Sequence, residues 1–75
     1  MPDADAVADA IARNTRHLRT ERSLSLDHLA TRSGVSKGML VQIEQARTNP
    51  SIGTLCRVAD AFGVTLAQLV ELADE

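Results

Sequence analysis

The chain has 75 residues, of which 44% are apolar, with one aromatic residue, one cysteine and a formal net charge of −2. That length makes one small domain near the lower limit for a self-supporting core, and a lone cysteine excludes an internal disulfide and points to a reducing cytoplasm. No apolar run approaches the ~20 residues of a membrane span, and residues 2–10 are acidic with no uninterrupted apolar core, so they do not read as a signal peptide.

The first predicted helix starts around Asp3–Asp5, whose carboxylates suit a helix N-terminus, and runs to Arg22. Val7, Ile11 and Leu18 form its buried stripe, with Arg13, Arg16 and Arg22 reaching outward. Thr15 interrupts the apolar face, which either loosens the first helix or lets its hydroxyl bond back to the backbone. Ser25 caps a second helix over Leu26 to Arg32. Gly34 follows, where a left-handed exit suits a residue without a Cβ, and Ser36 caps a third helix that ends near Gln45. Residues 46–50 form a loop, because Pro50 removes a donor and keeps Asn49 out of the α region. Ser51 caps a fourth helix with Ile52, Leu55, Val58, Ala59 and Phe62 at 3–4 spacing, and Gly63 ends it. Thr65 caps a last helix carrying Leu66, Leu69, Val70 and Leu72, which serve either as core or as an apolar strip for a partner chain. No alternating strand pattern competes, so the fold class is all-α.

Residues 25–50 carry the most information. Two short amphipathic helices hinged at Ser33-Gly34-Val35 follow the plan of the DNA-binding helix-turn-helix, whose second helix fits a major groove. The distribution of charge agrees. All eight basic residues lie between positions 13 and 57, against only Glu21, Asp27 and Glu44, so eight against three leaves a local excess of five. The ends are acidic and the middle basic, and DNA responds to local charge.

Arg19-Thr20-Glu21-Arg22-Ser23-Leu24-Ser25-Leu26, Leu29-Ala30, Ser33-Gly34-Val35-Ser36, Ile43-Glu44, Asn49-Pro50-Ser51-Ile52, Leu55, Ala59 and Phe62-Gly63-Val64 together resemble the Cro/cI-type (XRE) helix-turn-helix regulators. The resemblance covers roughly residues 11–71. It implies a five-helix lambda-repressor-like DNA-binding domain over residues 11–72, with the helix-turn-helix at helices 2 and 3, an acidic, partly helical lead-in over 1–10 and an acidic tail over 73–75. The Asn49–Ile52 segment resembles the branch in which this domain precedes a small-molecule-sensing domain, often a cupin.

Carried over by position, the resemblance makes Ser36–Gln45 the recognition helix and turns Lys37, Gly38 and Gln42 toward base edges. The periodicity agrees, since residues 37, 38, 41 and 42 lie opposite the Met39/Leu40/Ile43 stripe. Lys37 can donate to guanine O6 and N7, Gln42 can pair with adenine N6 and N7, and Val41 can touch a thymine methyl. Gly38 lets the backbone come close. Ser25 and the amides of the second helix start, Ser36, and the loop residues Arg47, Thr48 and Asn49 are the expected phosphate contacts; Arg16, Arg22 or Arg32 extend that footprint if they face the DNA. Arg19 and Glu44 match a buried ion pair of relatives, which orients more than it stabilises.

The remaining chemistry-bearing residues read as ordinary. His17 and His28 lack metal spacing and read as solvated surface, and Cys56 reads as a small buried hydrophobe. No phosphate loop, metal-ligand set or Ser/His/Asp arrangement is present, so no cofactor, metal or enzymatic role is expected. The expected function is a cytoplasmic, sequence-specific transcriptional regulator, with repression as the default, binding double-stranded DNA as a homodimer. The rivals are a protein-interaction module of the same fold, such as an antitoxin or co-regulator, and the DNA-binding part of a longer regulator with an effector-sensing domain.

Overall fold

A computed structural model describes residues 4–72; Asp3 at the expected helix start and the acidic segment 73–75 lie outside the described residues. Five helices and no strand occur among the described residues: α1 (Ala4–Glu21), α2 (Leu26–Ser33), α3 (Lys37–Glu44), α4 (Ile52–Phe62) and α5 (Leu66–Leu69). None is long and apolar enough to cross a membrane.

Side-chain caps set the helix starts. The hydroxyls of Ser25, Ser36, Ser51 and Thr65 accept from the backbone N–H groups of His28, Met39, Thr54 and Gln68, all at 3.0–3.1 Å. Each satisfies one donor that the helix itself cannot pair. At α5 the bond is reciprocated, because Thr65 N–H donates to Gln68 Oε1 at 2.8 Å, completing a capping box.

Left-handed residues set four of the ends. Gly34 and Gly63 terminate α2 and α4 at φ 74° and 73°, values glycine adopts without strain. Ser23 after α1 and Ala46 after α3 take the same conformation, at φ 53° and 56°. Behind α3, Ala46 N–H donates to Ile43 O and Arg47 N–H to Gln42 O; behind α1, Ser23 N–H donates to Thr20 O and Leu24 N–H to Arg19 O. These are Schellman endings built on residues with a Cβ, and each holds about 1–2 kcal/mol of backbone strain.

The helices close a ring: α1 packs on α3 and α5, α2 on α3 and α4, and α4 on α5. Each contributes to one core of Ile11, Leu29, Val35, Leu40, Ile43, Leu55, Val58, Phe62 and Leu69. Burying a Leu or Ile side chain is worth ~1.5–3 kcal/mol, so this cluster is the main source of stability. In the turn between α2 and α3, Val35 is buried and its N–H donates to Ser33 Oγ at 3.1 Å. That anchors the hinge by packing and by a hydrogen bond together.

Four expectations require correction. Cys56 is exposed, and Ile52 is 65% exposed. At 100° per residue, the buried arc of α4 runs from Ala61 through Val58, Phe62 and Leu55 to Ala59, leaving 52 and 56 just past its edge. The last helix stops at Leu69, and Leu72 stands 40% exposed beyond it. There Asn14 Nδ2 donates to Leu69 O at 2.9 Å and Glu71 O at 2.8 Å, tying the chain at the end of α5 to α1. Thr15 is fully buried and its hydroxyl has no hydrogen-bond partner among the described residues, so it makes no bond back to the backbone.

A buried hydroxyl with no partner costs more than an apolar group of the same shape. Thr15→Val should therefore raise stability by about 1 kcal/mol, moving the thermal midpoint up by roughly 4–8 °C in a domain of this size. A lower midpoint by calorimetry would show that the hydroxyl is satisfied in solution.

Candidate nucleic-acid interface

The third helix has two unlike sides. Leu40 and Ile43 are buried within the core and Met39 is packed against it. Lys37, Gly38 and Gln42 are exposed, and Val41 is half-buried at the edge between the two sides. A Cβ built on Gly38 meets no atom within 4 Å, so the backbone there is open to an approaching surface.

The far end of this helix is fixed from α1. Arg19 Nε donates to Glu44 Oε2 at 2.7 Å and Arg19 Nη2 to Glu44 Oε1 at 3.0 Å, a two-pronged pair. Glu44 is buried, at 8% side-chain exposure, and Arg19 is 23% exposed. A third donor, Nη1, reaches Leu24 O at 3.1 Å, tying in the loop before α2. Hydrogen bonding to Glu44 raises the Arg19 pKa above its already high ordinary value, burial opposes this, and the carboxylate's charge adds to the rise. The guanidinium is charged throughout the working range.

Arg16 adds a second tie. Its Nη1 donates to the backbone carbonyl of Glu44 at 2.7 Å, which satisfies a carbonyl at the helix C-terminus with a cation, the sign that end favours. Arg16 is exposed, as its place in the sequence implies, yet its guanidinium is engaged. Its partner lies 28 residues away, and no local pattern reports a contact across that separation.

The near end of α3 lies beside the start of α2. Lys37 Nζ is 3.2 Å from Asp27 Oδ1, and both side chains are more than half exposed. Ser25 and Ser36, the two caps, use their oxygens as acceptors toward the backbone, which leaves each hydroxyl proton free to be donated outward. In the loop after α3, Arg47 and Asn49 are exposed and Thr48 is half-buried. The Schellman ending at Ala46 fixes where this loop departs. Arg22 sits 5.8 Å from the Phe62 ring centroid and 3.3 Å from Glu21, while Arg32 is exposed in the last turn of α2. His17 is mostly exposed beside Glu21 at 3.4 Å.

Residues 16–69 match the helix-turn-helix family model HTH_3. An uncharacterised HTH-type transcriptional regulator, y4dJ of Sinorhizobium fredii, is 37% identical over 65 residues, 87% of this chain and 84% of its own length. The immunity repressor of Bacillus phage phi105 is 35% identical over 60 residues, 80% of this chain and 42% of the repressor. Among solved structures, an HTH_3 family transcriptional regulator from Vibrio cholerae superposes with a TM-score of 0.85 at 36% identity, over 89% of this chain and 38% of that one. The chain thus spans most of one relative and under half of the other two.

The Arg19–Glu44 pair is the tie most exposed to test. Arg19→Ala leaves a buried carboxylate without its partner and should lower stability by about 2–3 kcal/mol in urea melts, with a parallel loss of DNA affinity as α3 loosens. A variant that melts and binds as the parent does would remove the pair from this role.

Proposed function

Because this chain belongs to the XRE (Cro/cI-type) family of helix-turn-helix transcriptional regulators, we propose that it works as a cytoplasmic, sequence-specific DNA-binding protein, acting as a symmetric dimer on a two-fold operator. The carrying observation is the asymmetry of α3: Lys37, Gly38 and Gln42 open on one side, Leu40 and Ile43 sealed on the other. A helix held by its back and at its far end offers a fixed, solvated face about as wide as a major groove. In two copies these helices lie ~34 Å apart, in successive major grooves.

Each residue has a definite part in this reading. Lys37 donates to guanine O6 and N7, Gln42 pairs with adenine, Val41 meets a thymine methyl, and Gly38 admits the backbone closely. Ser25 and Ser36 offer their hydroxyl protons to phosphates, and Arg47, Thr48 and Asn49 grip the backbone from the loop after α3. Blocking polymerase at the operator is the default outcome, and the likeness to an immunity repressor supports it.

Selection from a random duplex pool, followed by mobility-shift titration, tests the proposal. Lys37→Ala and Gln42→Ala should each relax preference at one position, by ~1–3 kcal/mol of discrimination. Arg47→Ala should weaken all sequences alike and flatten the salt dependence by about one unit of log–log slope. A protein that enriches no sequence, or a double Lys37/Gln42 variant that enriches the parent's sequence, overturns the reading; the first result would favour a protein-interaction module.

A further inference from the structure

Asp27 is unused by the reading above, and it is oddly placed. It stands in the first turn of α2, the helix end aimed at the DNA backbone, where a carboxylate opposes phosphate. Its Oδ1 lies 3.2 Å from Nζ of Lys37, the first residue of α3. With side-chain exposures of 75% and 55%, this pair contributes little to stability. Its significance lies in what it does to the charge that meets DNA.

We infer that Asp27 is a specificity-determining residue, which rests on the DNA-binding reading: it holds the Lys37 ammonium as a base reader and keeps it from serving as a general phosphate ligand. A free lysine is a mobile point charge with three donors, drawn to any phosphate oxygen. Paired with Asp27, it uses one donor and keeps two, the number that O6 and N7 of a single guanine can accept. Carrying the pair to a phosphate also carries a carboxylate to it, and like charges at that distance repel. A guanine edge presents only partial charges, so the repulsion there is far weaker. The pair therefore weakens backbone binding more than base binding, and specificity is that difference. Asp27 also favours the N-terminus of α2, a benefit that Glu in its place retains.

The test is fluorescence anisotropy on a selected duplex and a scrambled one at several salt concentrations, using the parent, Asp27→Asn, Asp27→Glu and the double variant Asp27→Asn/Lys37→Met. Asp27→Asn should bind scrambled DNA about fivefold more tightly per domain, with a log–log salt slope steeper by about one as the released lysine takes a phosphate. The selected duplex should gain less, so the specificity ratio falls. Asp27→Glu should restore the ratio, and the steeper slope should vanish in the double variant. An Asp27→Asn protein with the parent's ratio overturns the inference and leaves the DNA-binding reading intact. A slope gain that survives in the double variant also overturns it, since Asp27 would then act as a plain repulsive charge without Lys37. A parent that distinguishes no duplex from the scrambled one overturns the DNA-binding reading, and this inference with it.

Discussion

The structure turns on a tie between its first helix and the end of its third. Glu44 is a buried acid, which would be unfavourable alone, and Arg19 compensates it with two hydrogen bonds while Arg16 takes the carbonyl of the same residue. Desolvation offsets much of the Coulombic gain in such a pair. Its return is geometric, because a planar guanidinium matched to a carboxylate fixes direction as well as distance. The third helix has eight residues, too few to be stable by itself in water. Its orientation is imposed by α1 behind one end and by the Val35 hinge at the other.

The hinge and the helix endings continue the same logic. At Val35 a buried side chain and a hydrogen bond to Ser33 Oγ set the angle between α2 and α3. At Ala46 the chain leaves α3 in a left-handed conformation that glycine would adopt more easily, and the next residue is Arg47. Strain held by surrounding structure is often found where a local direction matters. Here it determines the departure of the loop that carries Arg47, Thr48 and Asn49.

Much of this was legible from residues alone, for local reasons. Ser25, Ser36, Ser51 and Thr65 announce helix starts because their oxygens reach only the next turn, and Gly34 and Gly63 mark ends because few other residues tolerate that conformation. The two sides of α3 follow from helical period. Legibility fails where the cause is distant or the period ambiguous. Asn14 meets carbonyls 55 and 57 residues away, and Arg16 reaches across 28. Ser23 and Ala46 carry no mark of a left-handed turn. On α4 the apolar residues outnumber the positions that neighbours can cover, so the spacing alone did not say that Ile52 and Cys56 fall outside the buried arc. Asp27 and Lys37 are ten positions apart, on different helices, and only the fold brings their charges together.

Gly38 has a consequence for how such a protein changes over generations. Because the space where its Cβ would stand is empty, a side chain could be introduced there without disturbing the core. Glycine is a poorer helix former than residues with a side chain, so a replacement in this first turn would add a new group to the exposed side without costing helix propensity. The position is thus an unoccupied slot on the exposed side of α3, where a new side chain would meet no conflict with the packing beneath it.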